Sequence, residues 1–116
     1  MDTDAKKLSQ QGNELLANQD NQLILSVASI WEMQIKIQLG KLSLDLPLPE
    51  IIESQIRINN LQILAIELFH IWQLEGLENH HRDPFDRIII AQAIAEKLPI
   101  LSCDRVFDNY PIQRLW

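Results

Sequence analysis

Asp83-Pro84-Phe85-Asp86-Arg87-Ile88-Ile89-Ile90-Ala91-Gln92-Ala93-Ile94-Ala95-Glu96-Lys97-Leu98-Pro99-Ile100-Leu101-Ser102-Cys103-Asp104 is the stretch that decides the fold. It reads as a helix opened by two carboxylates, followed by a short apolar strand that ends in a third. Asp83 suits the N-cap, Pro84 the first helical position and Asp86 the third, all favoured by capping and by the helix dipole. Asp86 lies one turn before Ile89 and Ile90, which the pattern places toward a core. It reads equally as a further cap and as a ligand turned to a sheet edge. Asp104 reads either as a turn or cap ahead of Arg105-Val106-Phe107 or as a ligand at a strand end. Acids collected at strand ends and helix starts are how an α/β protein holds a hard divalent cation.

Working outward from this stretch, short strands alternate with helices. Residues 5–18 carry Leu8, Leu15 and Leu16 at modest helical spacing. Residues 22–25 read as a strand, with Ser26 an N-cap for a helix over 27–39 that Gly40 stops. Residues 41–48 form a proline-marked connector. Residues 49–58 read as a helix with Pro49 in its first turn, 61–66 as a strand, and 67–77 as a helix with Phe69 and Trp72 on one face. A polar loop over 78–82 precedes the helix over 84–98. Then come a strand over 99–102, a turn or short helix over 105–109 and a closing strand over 113–116. The alternation predicts a parallel sheet with helices on both faces and functional groups at the carboxyl ends of its strands.

The chain of 116 residues is read as one domain over 1–116, and its 47% of hydrophobic residues suffices for a core. No apolar run is long enough to span a membrane, and the N-terminus lacks a signal pattern. The single Cys103 excludes an internal disulfide, suits a reducing cytoplasm, and reads as a small strand residue rather than a nucleophile. A formal charge of −6 argues against a broad nucleic-acid surface, which would be basic. It leaves room for nucleic acid met through a cation at one acidic site, and a basic partner protein complements it.

Glu32 lies mid-helix among Ile30, Trp31, Met33 and Ile35. It reads either as a solvated residue paired with Lys36 four positions on or as an inward acid joining Asp86 and Asp104. His80 and His81 are adjacent loop residues that seldom converge on one metal, and they read as exposed. Trp31, Trp72 and Trp116 read as core and interface rather than as a stacking platform for bases. Asp2-Thr3-Asp4 looks like the Asp-x-Asp start of aspartyl-phosphate enzymes, but only Met1 precedes it where that motif needs a buried strand.

Four segments in order resemble PIN-domain toxins of the VapC type. Residues 26–36 with Leu39-Gly40-Lys41-Leu42 look like the family's second segment, and His81-Arg82-Asp83-Pro84-Phe85-Asp86-Arg87 with its helix like the third. Ser102-Cys103-Asp104-Arg105 and residues 112–116 look like the end of the domain. The resemblance runs from about Lys6 to Trp116. It implies a PIN-like three-layer α/β fold and a metal-dependent endoribonuclease, the toxin of a type II toxin–antitoxin pair. It further implies Glu32, Asp86 and Asp104 as catalytic metal ligands for Mg²⁺ or Mn²⁺, Ser102 as a helper, and Lys36, Arg82, Arg87 and Arg105 placing substrate phosphates. The implied partners are a cognate antitoxin, RNA and a second copy of the chain, in the cytoplasm.

The resemblance has a gap. Family members open with an apolar strand ending in an aspartate, followed by a helix, and neither is found here. The expectation is therefore a domain lacking its central strand and one carboxylate, with impaired cleavage. A start placed too late, a gene fragment, and a short form completed by another chain are the three ways this arises. The alternative function is a catalytically incomplete PIN domain that only binds an antitoxin. A phosphate-receiver or other flavodoxin-like domain would need paired acids after an early strand and a lysine after a late one, and neither pattern is present.

Overall fold

The computed structural model describes Glu14 and residues 21–79, 83–102 and 104–115. The expected first helix, His80, His81, Arg82, Cys103, Trp116 and the Asp2-Thr3-Asp4 motif lie outside these residues. The chain divides into two compact units, residues 22–66 and, among the described residues, Glu14 and Asn21 with those from Glu67 onward.

In the 22–66 unit, strand β1 (Ile24–Ser26) runs directly into helix α1 (Val27–Gln38). Ser26 makes the change of direction. It keeps an extended backbone, and its Oγ accepts the Ala28 N–H at 3.1 Å, supplying a partner for one of the donors a helix start leaves over. The helix ends where the sequence places its stop. Gly40 takes φ +73°, and the N–H groups of Lys41 and Leu42 both return to the Lys36 carbonyl, at 2.8 and 3.2 Å. That left-handed turn is one glycine adopts without a Cβ clash. Helix α2 (Leu48–Asn59) opens with Pro49 in its first turn and closes on Asn60 at φ 54°. Strand β2 (Gln62–Leu64) returns parallel to β1, with Ile24 opposite Gln62 and Ser26 opposite Leu64.

In the other unit, helix α3 (Leu68–Gln73) tightens into a 3₁₀ turn over Leu74–Gly76, so the expected helix of 67–77 is shorter and changes pitch. Helix α4 (Pro84–Glu96) ends at Lys97 with φ 57°, two residues before Pro99, which cannot continue it. Strand β3 (Ile100–Leu101) pairs in parallel with β4 (Arg114–Leu115), and a 3₁₀ turn over Arg105–Asn109 lies between them. Ile90, Phe107 and Tyr110 form the core, packed by Leu77, Ile94, Ile100, Val106 and Ile112. Of the isoleucines opening α4, Ile88 and Ile90 are buried and Ile89 only partly so.

The described strands pair two by two, one pair within each unit, and both pairs are parallel as the alternation predicts. Each strand is only two or three residues long, and Ile24, Ile63 and Leu101 remain more than a third exposed, unlike strands covered on both faces. Trp31 and Trp72 are not core residues; they are 57% and 66% exposed. Trp72 shares α3 with His70, and the face of that helix turned to the interior is the one carrying the histidine.

Candidate active site

Asp83 and Asp86 divide the work at the start of α4. Asp83 is the N-cap, and its Oδ1 accepts the Phe85 and Asp86 N–H groups at 2.9 and 3.3 Å. Asp86 contributes its N–H to that cap, while its own carboxylate sits half-buried in the first turn. Both acids favour the positive end of the helix dipole, but the cap itself belongs to Asp83.

Asp104 and Ser102 occupy one tight turn just past the carboxyl end of β3. The Ser102 Oγ accepts the Asp104 N–H at 3.1 Å, and Asp104 Oδ1 accepts the Val106 N–H at 3.0 Å, capping the 3₁₀ turn. The cap reading of Asp104 is therefore realised through one of its two oxygens. A hydroxyl that accepts one bond keeps its proton for donation elsewhere. Arg114, which sequence reasoning did not single out, buttresses this turn. Its Nη1 donates to the Ser102 carbonyl at 3.1 Å, while Nε and Nη2 form a fork on the Asp108 carboxylate at 2.9 and 3.3 Å. The twelve-residue separation of Arg114 from Ser102 leaves no local pattern to read.

Glu32 is on α1, in the 22–66 unit. Its Oε2 lies 3.9 Å from Lys36 Nζ, the expected i,i+4 pair at long range, and both side chains are about a quarter exposed. Arg105 is exposed in the 3₁₀ turn. Arg87 directs its guanidinium at the preceding loop: Nη1 donates to the Glu78 carbonyl at 3.2 Å and to Asn79 Oδ1 at 3.4 Å, and Nη2 to the Leu77 carbonyl at 3.5 Å. Thus one unit carries Glu32 and Lys36, and the other Asp86, Asp104, Ser102, Arg87 and Arg105. Within either unit, among the described residues, no three His, Cys, Asp or Glu side chains gather closely enough to hold a metal ion.

His70 is a buried ionisable residue that the sequence reading passed over. It is fully buried. Nδ1 accepts the Glu67 N–H at 2.9 Å, which makes Nε2 the protonated nitrogen, donating to Glu96 Oε1 at 2.9 Å. The Gln92 amide approaches Nδ1 at 3.5 Å. The ring thus reaches back to the backbone at the start of α3, as the third-position acid of a capping box does, and also ties α3 to α4. The Glu67-x-x-His70 spacing is the signal that could have found the first of these roles.

These acids stand in a chain that matches the PIN domain family model over residues 4–113, and the chain belongs to that family. PIN domains are typically metal-dependent nucleases. No curated protein and no solved structure matches it. Among the described residues, no helix is long and apolar enough to cross a membrane.

Proposed function

We propose that this PIN domain is a VapC-type toxin of a type II toxin–antitoxin system, acting in the cytoplasm as a homodimer that hydrolyses RNA phosphodiesters. Glu32, Asp86 and Asp104 are its metal ligands. Their chemistry fits the ion: three carboxylates are the hard oxygen donors that Mg²⁺ and Mn²⁺ prefer over softer metals. Held by these carboxylates, such an ion would supply an activated water and offset charge on the scissile phosphate. Lys36, Arg82 and Arg105 bring positive charge for the neighbouring phosphates, and the Ser102 hydroxyl donates to a ligand or phosphate oxygen. The observation that carries this reading is the split between Asp83 and Asp86. With the cap supplied by Asp83, a second acid three residues on is not needed to start the helix.

The test is cleavage of a labelled single-stranded RNA in Mg²⁺ or Mn²⁺ against a chelator control. Metal-dependent cleavage that is lost in Asp86→Asn and Glu32→Gln is expected; cleavage that survives both substitutions contradicts the assignment.

A second reading, antitoxin binding without cleavage, is favoured by a different observation. Leu68, Phe69, Ile71 and Trp72 are each at least 41% exposed on the six-residue helix α3, an apolar grouping of the kind that marks partner surfaces. Complex formation with an antitoxin by a chain that never cleaves RNA supports that reading.

A further inference from the structure

Arg87 occupies an awkward position for a cation. It is the fourth residue of α4 counted from the Asp83 cap, and its N–H makes the helix's first turn by donating to the Asp83 carbonyl at 3.0 Å. Positive charge there opposes the helix dipole. The guanidinium instead lies along the loop before the helix and meets three neutral oxygens, the carbonyls of Leu77 and Glu78 and the Asn79 side chain, at 3.2 to 3.5 Å. Leu77 is held a second time, since its side chain packs on the core of Ile90, Phe107 and Tyr110. The loop is therefore gripped by a side chain in the core and by backbone oxygens on a planar fork. Only a guanidinium presents several donors in one rigid plane; an ammonium offers a point charge.

We propose that Arg87 is a positioning residue, a clamp that fastens residues 77–79 to the first turn of α4 and so fixes the turn that carries Asp86, rather than a phosphate contact. The importance given to Asp86 rests on the nuclease reading above; the clamp itself does not. A phosphate reaching Arg87 would compete with three oxygens already aligned on it, whereas exposed Arg105 has no such competition among the hydrogen bonds described above.

The test compares the wild-type chain with Arg87→Gln, Arg87→Lys and Arg105→Gln. Amide hydrogen exchange is followed by mass spectrometry on the free chain. Binding of a labelled single-stranded RNA oligonucleotide is followed over a salt series. Arg87→Gln is expected to speed exchange across 74–79 by about tenfold, as a local opening, with exchange across 104–115 unchanged. Arg87→Lys, which keeps the charge and loses the fork, is expected not to restore protection, and it carries the test if the glutamine variant does not fold. The salt slope of RNA binding is expected to be unchanged in Arg87→Gln and to fall by about 0.7 in Arg105→Gln, the value of one single-strand phosphate contact. Unaltered exchange across 74–79 in both Arg87 variants, full protection restored by lysine, or a slope lowered by Arg87→Gln would overturn the clamp. Exchange is read without RNA, so failure of the wild type to bind RNA counts against the nuclease reading and leaves the clamp to be decided by exchange alone.

Discussion

The two units of this chain bury themselves very differently. The unit from Glu67 onward has a core in the ordinary sense: Ile90 and Ala91 are fully buried, Phe107 and Tyr110 nearly so, and His70 and Gln92 are enclosed with their polar atoms satisfied. The 22–66 unit buries only Ser26, Ala28 and Leu48, while Trp31, Leu39, Leu46 and Ile58 each remain more than half exposed. Regular secondary structure is present in both. The difference teaches that caps and turns carry more of the shape of the second of these units, whereas a packed core holds the first. Substitutions should therefore act by different mechanisms in the two.

The largest expected effect is in the packed unit. Ile90→Ala removes fully buried methyl groups from the core cluster and should cost about 2–5 kcal/mol in a denaturant titration; a loss near zero would mean the core can collapse around the gap. His70→Ala should come next. It removes the acceptor of the Glu67 N–H and the donor to Glu96, and empties a buried volume, for roughly 2–4 kcal/mol. His70→Gln is expected to recover part of this, because an amide can replace one of the two bonds. If alanine and glutamine prove equally destabilising, ring packing rather than hydrogen bonding holds α3 to α4.

Effects in the 22–66 unit should be smaller and local. Ser26→Ala deletes the cap between β1 and α1 and is expected to cost about 1 kcal/mol, with Ser26→Asp restoring it. A loss as large as that of Ile90→Ala would show that this unit too depends on a tight core. Smallest of all is the Glu32–Lys36 pair. At 3.9 Å and partly exposed, its coupling in a double-mutant cycle should not exceed about 0.5 kcal/mol. Glu32→Gln should thus lose little through this pair.

Much of this was legible in the sequence because it is local. Ser26, Gly40, Pro49, Asp83 and the 3₁₀ turn after Asp104 each act through neighbours within a few residues, and each does in the structure what its residue type suggests. What escaped was tertiary. Which strands pair depends on tertiary contacts that no single strand's alternation records. His70 looks like any helix residue until Glu96 is placed beside it, and the three oxygens that Arg87 meets lie eight to ten residues away. For the acids the sequence offered cap or ligand at both Asp86 and Asp104. The structure assigns the α4 cap to Asp83 and gives Asp104 a cap through one oxygen. The ligand role of both rests with the proposal.

The most direct test of that proposal is Mn²⁺ binding, followed by electron paramagnetic resonance, in the wild type, Asp83→Asn and Asp86→Asn. Asparagine caps a helix as well as aspartate does, so Asp83→Asn should retain the wild-type affinity. Loss of a ligand should weaken Asp86→Asn by more than the roughly 10–100-fold that follows removal of a mere supporting residue around a metal. Equal affinity in all three proteins would contradict the assignment of Asp86 and, with it, the metal site on which the nuclease reading depends.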